Sequence, residues 1–124
     1  MIIAIGIDII EIARIEETLA RSSRFRDRVF TPAEIEYCES RASKSASYAA
    51  RFAAKEAFLK AIGTGLTVSY ELHEIEVIVN EAGKPSIMLS GGFKELSVAG
   101  NWNNIYLSIS HLRAIACAVV IVEA

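Results

Sequence analysis

Two carboxylates stand in stretches of sequence that are otherwise apolar or small. Asp8 interrupts the Ile-rich stretch Ile2–Ile10, and Glu56 lies in an Ala-rich stretch with helical spacing. A carboxylate that is buried without a partner is costly, so both positions require a physical reason. Mg²⁺ takes oxygen ligands in proteins, commonly one or two carboxylates together with substrate phosphates and waters. The two residues therefore indicate a candidate site for a hard divalent cation.

Each carboxylate also has a purely structural interpretation. Asp8 precedes a predicted helix, and a carboxylate near the first turn of a helix is stabilised by the helix dipole. Glu56 and Lys60 share one helical face, where an exposed ion pair contributes only tenths of a kcal/mol. Both interpretations remain open from these residues alone.

Basic residues on the same predicted helix supply the charge that a phosphate ligand needs. Lys60 lies on the face of Glu56, whereas Arg51 lies on another face. Lys and Arg side chains neutralise phosphate groups. The glycines of the following Gly63-Thr64-Gly65 would let the backbone approach a ligand, although this sequence is equally a plain helix stop. It is not a P-loop, because the lysine does not follow the glycines and no strand precedes them.

His111 follows Ser108-Ile109-Ser110 at the end of a predicted strand. A serine-hydrolase site is disfavoured, because the histidine has no acidic neighbour in sequence and a Gly-x-Ser-x-Gly motif is absent. A histidine among hydroxyl groups suits phosphate binding or stacking on a base. The equal alternative is a surface histidine at a strand end.

A basic segment suggests a surface for an acidic partner. The stretch Arg21–Arg28 carries four Arg against one Asp, Arg14 lies nearby, and the whole chain has a net charge of -2. Electrostatic complementarity with an apolar anchor is typical of docking sites, and Phe25 would be that anchor. A solvated loop is the alternative.

Sequence patterns predict the elements that position these residues. A helix begins at Thr31, where Thr31, Pro32 and Glu34 form a capping box, and continues to about Glu39. The segment Arg21–Arg28 is expected to be a basic turn or loose segment. The remaining expectations are helices over 11–20, about 45–62 and 93–98, and strands over 2–10, 72–80, 86–89, 105–110 and 114–122. Early helices and late hairpin strands indicate an α+β fold, with one long central helix packed on an antiparallel sheet.

The composition bounds the class of protein. With 124 residues, of which 52% are hydrophobic and 23% charged, the chain is expected to form a single domain over residues 1–124. This composition excludes disordered, collagen-like and disulfide-dense chains, and the negative net charge argues against non-specific nucleic-acid binding. No apolar stretch is long enough to span a membrane.

Cys38 and Cys117 fit a reducing cytosol, so a cytoplasmic location is expected. Surplus apolar surface suggests contacts between subunits, with a tightly packed monomer as the alternative.

Several motifs together resemble the holo-acyl-carrier-protein synthases, a family of 4′-phosphopantetheinyl transferases. The resemblance covers nearly the whole chain, and the long-helix motif is highly specific. It rests on Gly6-Ile7-Asp8, Arg51-Phe52-Ala53-Ala54-Lys55-Glu56-Ala57-Phe58 with Lys60-Ala61 and Gly63-Thr64-Gly65, Gly83-Lys84-Pro85, and Ser108-Ile109-Ser110-His111.

The resemblance implies an activity and its cofactor. It implies Mg²⁺-dependent transfer of 4′-phosphopantetheine from coenzyme A to a serine of an apo acyl carrier protein, releasing adenosine 3′,5′-bisphosphate and supporting fatty acid biosynthesis. It also implies a homotrimer with active sites at the subunit interfaces.

The resemblance further implies a role for each site residue. Asp8 and Glu56 resemble the metal ligands, and Lys60 resembles the residue that contacts the coenzyme A phosphates. Glu56 and Lys60 would be the catalytic residues, with Glu56 or a metal-polarised water taking the serine proton. Four more residues resemble those that bind the nucleotide end of coenzyme A or line the cleft: Arg51, His111, Gly65 and Pro85. Another four resemble the carrier-docking surface: Arg14, Arg24, Phe25 and Arg28.

Two other classes of protein remain as alternatives. One is a module that binds coenzyme A or a nucleotide without catalysis. The other is a trimeric scaffold whose arginine patch docks an acidic partner and which ignores both Mg²⁺ and coenzyme A.

Overall fold

The computed structural model describes residues 1–63 and 72–124. The elements in chain order are β1 (Ile2–Glu11), α1 (Ile12–Arg21), α2 (Ser23–Val29), α3 (Pro32–Glu39), α4 (Lys44–Ile62), a 3₁₀ turn (Leu72–Glu74), β2 (Ile75–Val79), β3 (Pro85–Leu89), α5 (Gly91–Ala99), β4 (Asn104–His111) and β5 (Ile115–Glu123). Strand β5 lies between β1 and β4 in an antiparallel sheet of three strands, and β2 pairs with β3 in a separate hairpin. The predicted α+β class, with a long helix against an antiparallel sheet, is confirmed.

Helix α4 packs across β1 and β5 because the strands present small or branched side chains to it. Every second residue of β5 is buried, beginning with Ala116 and Ala118 and continuing to Val122. This is the period of a strand with one face on a core. The same alternation holds in β4, where Leu107 is buried and Tyr106 is exposed, as predicted.

Glu34 gives the α3 region a fixed position in the core. The predicted capping box is present, since Glu34 N donates to Thr31 Oγ1 and Thr31 N donates to the Glu34 carboxylate. The carboxylate is also buried, accepting from Val77 N at 2.8 Å and from Lys55 Nζ at 2.8 Å. One side chain therefore joins α3, α4 and β2.

The predicted strand 72–80 is wrong in its first residues, which form the 3₁₀ turn Leu72–Glu74. The buried Lys55 ammonium donates to the carbonyl oxygens of Leu72 at 3.2 Å and Ile75 at 2.7 Å. The Leu72 carbonyl oxygen, which accepts from this ammonium, belongs to the 3₁₀ turn, outside the strand ladder. Pairing in the hairpin therefore begins at Ile75.

The prediction of a loose segment over 21–28 is also wrong, because α2 covers most of it. Phe25 and Val29 lie one helical turn apart and both pack against the core around Phe30. Helix α2 has seven residues, of which two are apolar, and that is too few for a clear helical period in sequence. Tertiary packing stabilises this short helix.

None of the helices in the described ranges is both long enough and apolar enough to cross a membrane.

Replacing Lys55 with Met is expected to destabilise the protein by about 3–5 kcal/mol, because the Glu34 carboxylate then stays buried without its cation. Burial already lowers the pKa of Lys55, and the charge of Glu34 opposes that shift. Urea unfolding of the variant measures the loss. The double variant Lys55→Met, Glu34→Leu is the matched control and is expected to recover stability, since no charge remains buried. If Lys55→Met unfolds at the same urea concentration as the wild type, the claim that Lys55 compensates the buried charge of Glu34 is wrong.

Candidate active site

Strand β1 touches α4 at Gly6, and this contact brings Asp8 to the helix. A Cβ atom at Gly6 would collide with the carbonyl oxygen of Ala57 and lie 2.6 Å from the backbone nitrogen of Ala61. Any larger residue would therefore push the strand away. Asp8 lies two positions after Gly6, on the same face of β1. The close approach places its carboxylate beside the turn of α4 that carries Lys60.

Asp8 and Lys60 form an ion pair across this contact. Lys60 Nζ donates to Asp8 Oδ1 at 2.9 Å, and the two residues are 52 positions apart in sequence. The hydrogen bond to Asp8 and its negative charge raise the pKa of Lys60. Asp8 does not cap the next helix, since the N-cap of α1 is Glu11.

Glu56 completes a carboxylate cluster, which we define as Asp8, Glu56 and Lys60. Glu56 is half-buried, and burial raises the pKa of its carboxyl group. The negative charge of Asp8 raises that pKa further, and the charge of Lys60 opposes the rise. The alternative of a Glu56–Lys60 pair on a solvated stripe is not seen, because Lys60 pairs with Asp8 and Glu56 forms no ion pair within the described ranges.

The donor set of the carboxylate cluster fits Mg²⁺. Burial raises the pKa of Glu56 most and the charge of Asp8 raises it further, so a divalent cation held by both carboxylates would stabilise their ionised forms. No group of three or more His, Cys, Asp or Glu side chains suited to a metal occurs among the residues with described positions. Two protein ligands leave room for phosphate oxygens and waters, which Mg²⁺ favours.

A second feature is a cleft of about 450 Å³ between α3, α4, the β2–β3 turn and the end of β4. It contains three of the residues singled out in the sequence: Arg51, Pro85 and His111. Gly83 adopts a φ of 85° in the turn and donates to the carbonyl oxygen of Asn80 at 2.9 Å, which brings β3 back toward α4. Gly65 lies outside the described residues.

Arg51 lies in the wall of this cleft, and its neighbours satisfy only part of its guanidinium group. It is 5% exposed, donates from Nη1 to Ser47 Oγ at 3.1 Å, and stacks on the ring of Tyr37 with its guanidinium carbon 4.2 Å from the ring centre. Its Nε is buried and has no hydrogen-bond partner among the described residues. A buried donor without a partner is costly, so the guanidinium is suited to bind an anionic ligand, to which its N–H groups would donate.

The chain matches a family model described as the 4′-phosphopantetheinyl transferase superfamily over residues 4–120. It is 48% identical over 123 residues to the holo-[acyl-carrier-protein] synthase of Cytophaga hutchinsonii, covering 98% of this chain and 97% of that protein.

The chain belongs to the 4′-phosphopantetheinyl transferase superfamily.

Solved structures of relatives agree with this placement. A structure of the Helicobacter pylori holo-[acyl-carrier-protein] synthase in complex with coenzyme A matches with a TM-score of 0.85 at 38% identity, covering 96% of this chain and 99% of that one. The holo-[acyl-carrier-protein] synthase of Neisseria meningitidis matches with a TM-score of 0.91 at 30% identity over all of both chains.

In this transferase fold the carboxylate cluster and the cleft use different sides of α4. At about 100° per residue, Glu56 lies about 140° around the helix from Arg51, and Lys60 about 180° from it. One long ligand cannot lie flat against both faces of a single helix. The two features therefore face different surroundings within one chain.

The predicted docking residues lie mostly at the surface of α1 and α2. Arg14, Arg24 and Arg28 are exposed. Phe25, the predicted apolar anchor, is half-buried, and its ring centre lies 5.9 Å from that of Phe52. The basic face is therefore presented by arginines, and Phe25 mainly holds α2 against the core.

Sequence analysis missed two residues of the cleft, Tyr37 and Arg41. Arg41 places its guanidinium carbon 5.3 Å from the ring centre of Tyr37, the same ring on which Arg51 stacks. The available signal was the spacing of four residues between an aromatic and an arginine near a predicted helix end. That spacing alone is common and does not indicate a site.

Proposed function

We propose that the chain is a holo-[acyl-carrier-protein] synthase. It transfers 4′-phosphopantetheine from coenzyme A to a serine of an apo acyl carrier protein, releases adenosine 3′,5′-bisphosphate and so supports fatty acid biosynthesis. The carboxylate cluster is the observation that carries the proposal, because it brings a metal-binding pair and a phosphate-binding lysine together in a chain of this family. The coenzyme A bound to the Helicobacter pylori relative supports the identity of the donor.

In this mechanism the serine oxygen attacks the β-phosphorus of coenzyme A and gives up its proton to Glu56 or to a water. The bond from that phosphorus to the bridging oxygen breaks, and the oxygen leaves on adenosine 3′,5′-bisphosphate. Asp8 and Glu56 would hold Mg²⁺, which supplies charge stabilisation to the pyrophosphate when it is bound. Lys60 places its ammonium beside Asp8, where it neutralises phosphate charge that develops in the transition state. Arg51 and His111 bind the nucleotide end in the cleft, with Pro85 in its wall and Gly65 assigned there by the family resemblance.

A homotrimer with active sites between subunits is part of this proposal. The outer face of β1 carries four isoleucines that are 50–66% exposed: Ile3, Ile5, Ile7 and Ile9. Tyr106 of β4 is also exposed, on the outer face of the same sheet. A continuous apolar face of this kind is typical of a subunit contact. A second copy of the chain covers this face and brings its own cleft toward the carboxylate cluster.

The opposite placement of the two features on α4 supports a shared site. The carboxylate cluster of one subunit and the cleft of its neighbour would together surround one coenzyme A molecule. The pyrophosphate then lies at Asp8, Glu56 and Lys60, and the nucleotide end lies at Arg51 and His111 of the other subunit.

The remaining parts of the proposal concern the domain and its compartment. Residues 1–124 would form one transferase domain, which the family match over 4–120 supports. Both cysteines are free thiols, which supports a cytoplasmic enzyme.

Intact mass spectrometry of an apo acyl carrier protein tests the activity. The carrier is incubated with the chain and coenzyme A, once with Mg²⁺ and once with excess chelator. The expected result is a mass gain of one phosphopantetheinyl group with Mg²⁺ only. Binding of coenzyme A with no mass gain on several apo carriers would favour the binding module. Absence of both coenzyme A binding and transfer would favour the scaffold.

Reversing the charge of Arg14 and Arg24 to Glu is expected to raise the KM for the carrier protein tenfold or more, with little change in kcat. The reason is that exposed arginines attract an acidic partner and steer its approach, each change being worth about 1 kcal/mol at the surface. Steady-state kinetics at two salt concentrations measures the effect, which should shrink as salt screens the charges. Lys94→Glu on α5 is the control for reversing a charge elsewhere on the surface. An unchanged KM for the carrier protein together with lost coenzyme A binding would show that α1 and α2 do not dock the carrier.

A further inference from the structure

A cavity of about 380 Å³ lies between α1, α2 and the junction of α3 with α4. The residues that line it are not among those that the proposed transfer uses. On α1 these are Glu16, Leu19 and Ala20, which lie about 120–160° around the helix from the predicted docking residue Arg14. The cavity is therefore separate from the side of α1 that carries Arg14.

The wall that α1 and α2 provide has an acidic end, an apolar middle and a basic end. Helices α1 and α2 are joined by Ser22 alone, so chain order is also the order of the groups along this wall. The lining residues in that order are Glu16, Leu19, Ala20, Ser23 and Arg26. From α4, the buried Tyr48 also lines the cavity. A ligand that fills the cavity therefore meets different chemistry at its two ends.

The basic end is built around the carboxylate of Glu39. Lys44 Nζ donates to Glu39 Oε1 at 3.3 Å, and Tyr48 Oη donates to Glu39 Oε2 at 2.7 Å. These two hydrogen bonds lower the pKa of Glu39, and the charges of Lys44 and Arg26 lower it further. This end of the lining therefore carries two positive charges against one negative charge.

Polar groups at both ends remain available to a ligand. Arg26 donates from Nε to Asp27 Oδ1 at 3.2 Å, and its two terminal amino groups have no hydrogen-bond partner among the described residues. At the acidic end, Glu16 Oε2 accepts from Ser45 Oγ at 2.9 Å, and the other oxygen of Glu16 likewise has no partner there. A guanidinium binds a carboxylate through two N–H groups, and a carboxylate binds an ammonium through charged hydrogen bonds.

We propose that this cavity binds a small zwitterion with an apolar body, of the size of an apolar dipeptide with free termini. The carboxylate of the ligand lies at Arg26, its ammonium lies at Glu16, and its apolar body packs on Leu19 and Tyr48. The cavity volume falls in the usual range of small-molecule sites, roughly 300–1,000 Å³.

The charge of the lining selects a zwitterion over a simple ion. Two basic and two acidic residues line the cavity, so their charges cancel over the whole site. A ligand with only a negative charge meets no partner at Glu16, and a ligand with only a positive charge meets none at Arg26. A zwitterion with an apolar middle satisfies both ends at once.

Calorimetric titration of the full chain with leucyl-leucine tests the proposal. The expected Kd is on the order of 1 mM or lower. Two comparison ligands each lack one terminal charge: N-acetyl-leucyl-leucine has no ammonium, and leucyl-leucinamide has no carboxylate. Each is expected to bind about tenfold more weakly, because one charged hydrogen bond is lost.

Variants assign each terminal charge to its end of the cavity. Arg26→Gln should weaken leucyl-leucine about tenfold and leave leucyl-leucinamide at its wild-type affinity, because that ligand already lacks the carboxylate. Glu16→Gln should weaken leucyl-leucine by a similar factor and leave N-acetyl-leucyl-leucine unchanged. Arg24→Gln and Glu17→Gln are the matched controls, since both side chains are exposed on the same two helices but do not line the cavity.

The four changed side chains are exposed or half-exposed, so each variant should unfold at the wild-type temperature. Absence of binding at about ten times the expected Kd would overturn the proposal. Equal affinity for the three ligands would overturn it as well, and so would equal losses in Arg26→Gln and Arg24→Gln. These titrations use neither coenzyme A nor a carrier protein, so a failure of the proposed function leaves their result unaffected.

Discussion

Replacing Glu56 with Gln is expected to lower transfer about a thousandfold while the protein remains fully folded. Loss of one metal ligand removes several kcal/mol of transition-state stabilisation, and about 4 kcal/mol corresponds to a factor of a thousand. The readout is the rate at which an apo carrier gains mass at saturating coenzyme A. Glu95→Gln on α5 is the matched control, since that side chain is exposed and distant from the carboxylate cluster.

The stability of this variant is a second, independent readout. Burial and the charge of Asp8 raise the pKa of Glu56, which means that its ionised form is disfavoured in the folded protein. A neutral amide of the same shape removes that cost, so Glu56→Gln should unfold at the wild-type temperature or above it without metal. Mg²⁺ with coenzyme A should raise the unfolding temperature of the wild type but not of the variant. Turnover close to the wild-type rate would show that Glu56 is not a metal ligand.

Mixing two inactive variants is expected to restore transfer if the active site is shared between subunits. One variant is Glu56→Gln, which lacks the carboxylate cluster, and the other is Arg51→Gln with His111→Ala, which lacks the cleft. In a mixed trimer, an interface between an intact carboxylate cluster and an intact cleft is complete. A trimer that contains both variants has one complete interface among its three, so about a third of wild-type activity should return once unmixed trimers are removed.

The two variants are co-expressed with different tags and purified over both, which ensures that only mixed assemblies are assayed. The matched control is Asp8→Asn mixed with Glu56→Gln. Each subunit then carries one of the two changes in its own carboxylate cluster, so no interface has an intact cluster and activity should stay at background. Purified mixed assemblies of Glu56→Gln with the cleft variant that remain inactive would place the whole site within one subunit.

The sequence-based prediction of local structure succeeded where short spacing controls geometry. Glu56 and Lys60 are four residues apart on one helix, so they face the same side whatever surrounds them. The capping box of Thr31 and Glu34 likewise depends on three residues of helical backbone. Alternating burial in β4 follows from the strand period. The resemblance to a family added roles that no spacing shows, and the family itself is confirmed over most of the chain.

Errors occurred where long-range contacts decide local structure. The segment Arg21–Arg28 has too few apolar residues to show a period, yet Phe25 packs against Phe30 and Phe52 and stabilises a helix. Residues 72–74 were expected to begin a strand, yet the buried Lys55 ammonium donates to the carbonyl oxygen of Leu72 and the residues form a 3₁₀ turn. In each case the deciding partner lies far away in sequence.

The sequence by itself determined the candidate site residues and the family, because residue types and short spacings are properties of the covalent chain. It carried the carboxylates, the lysine, the arginine patch and the elements that hold them. Only the tertiary structure decided that Asp8 pairs with Lys60, which lies 52 residues later in the sequence. This pair depends on a close contact between β1 and α4 that is possible because residue 6 is glycine. Only the tertiary structure placed Tyr37 between two arginines, and the carboxylate cluster and the cleft on different sides of α4. Such contacts depend on how strands and helices pack, and packing is a property of the whole fold rather than of any segment.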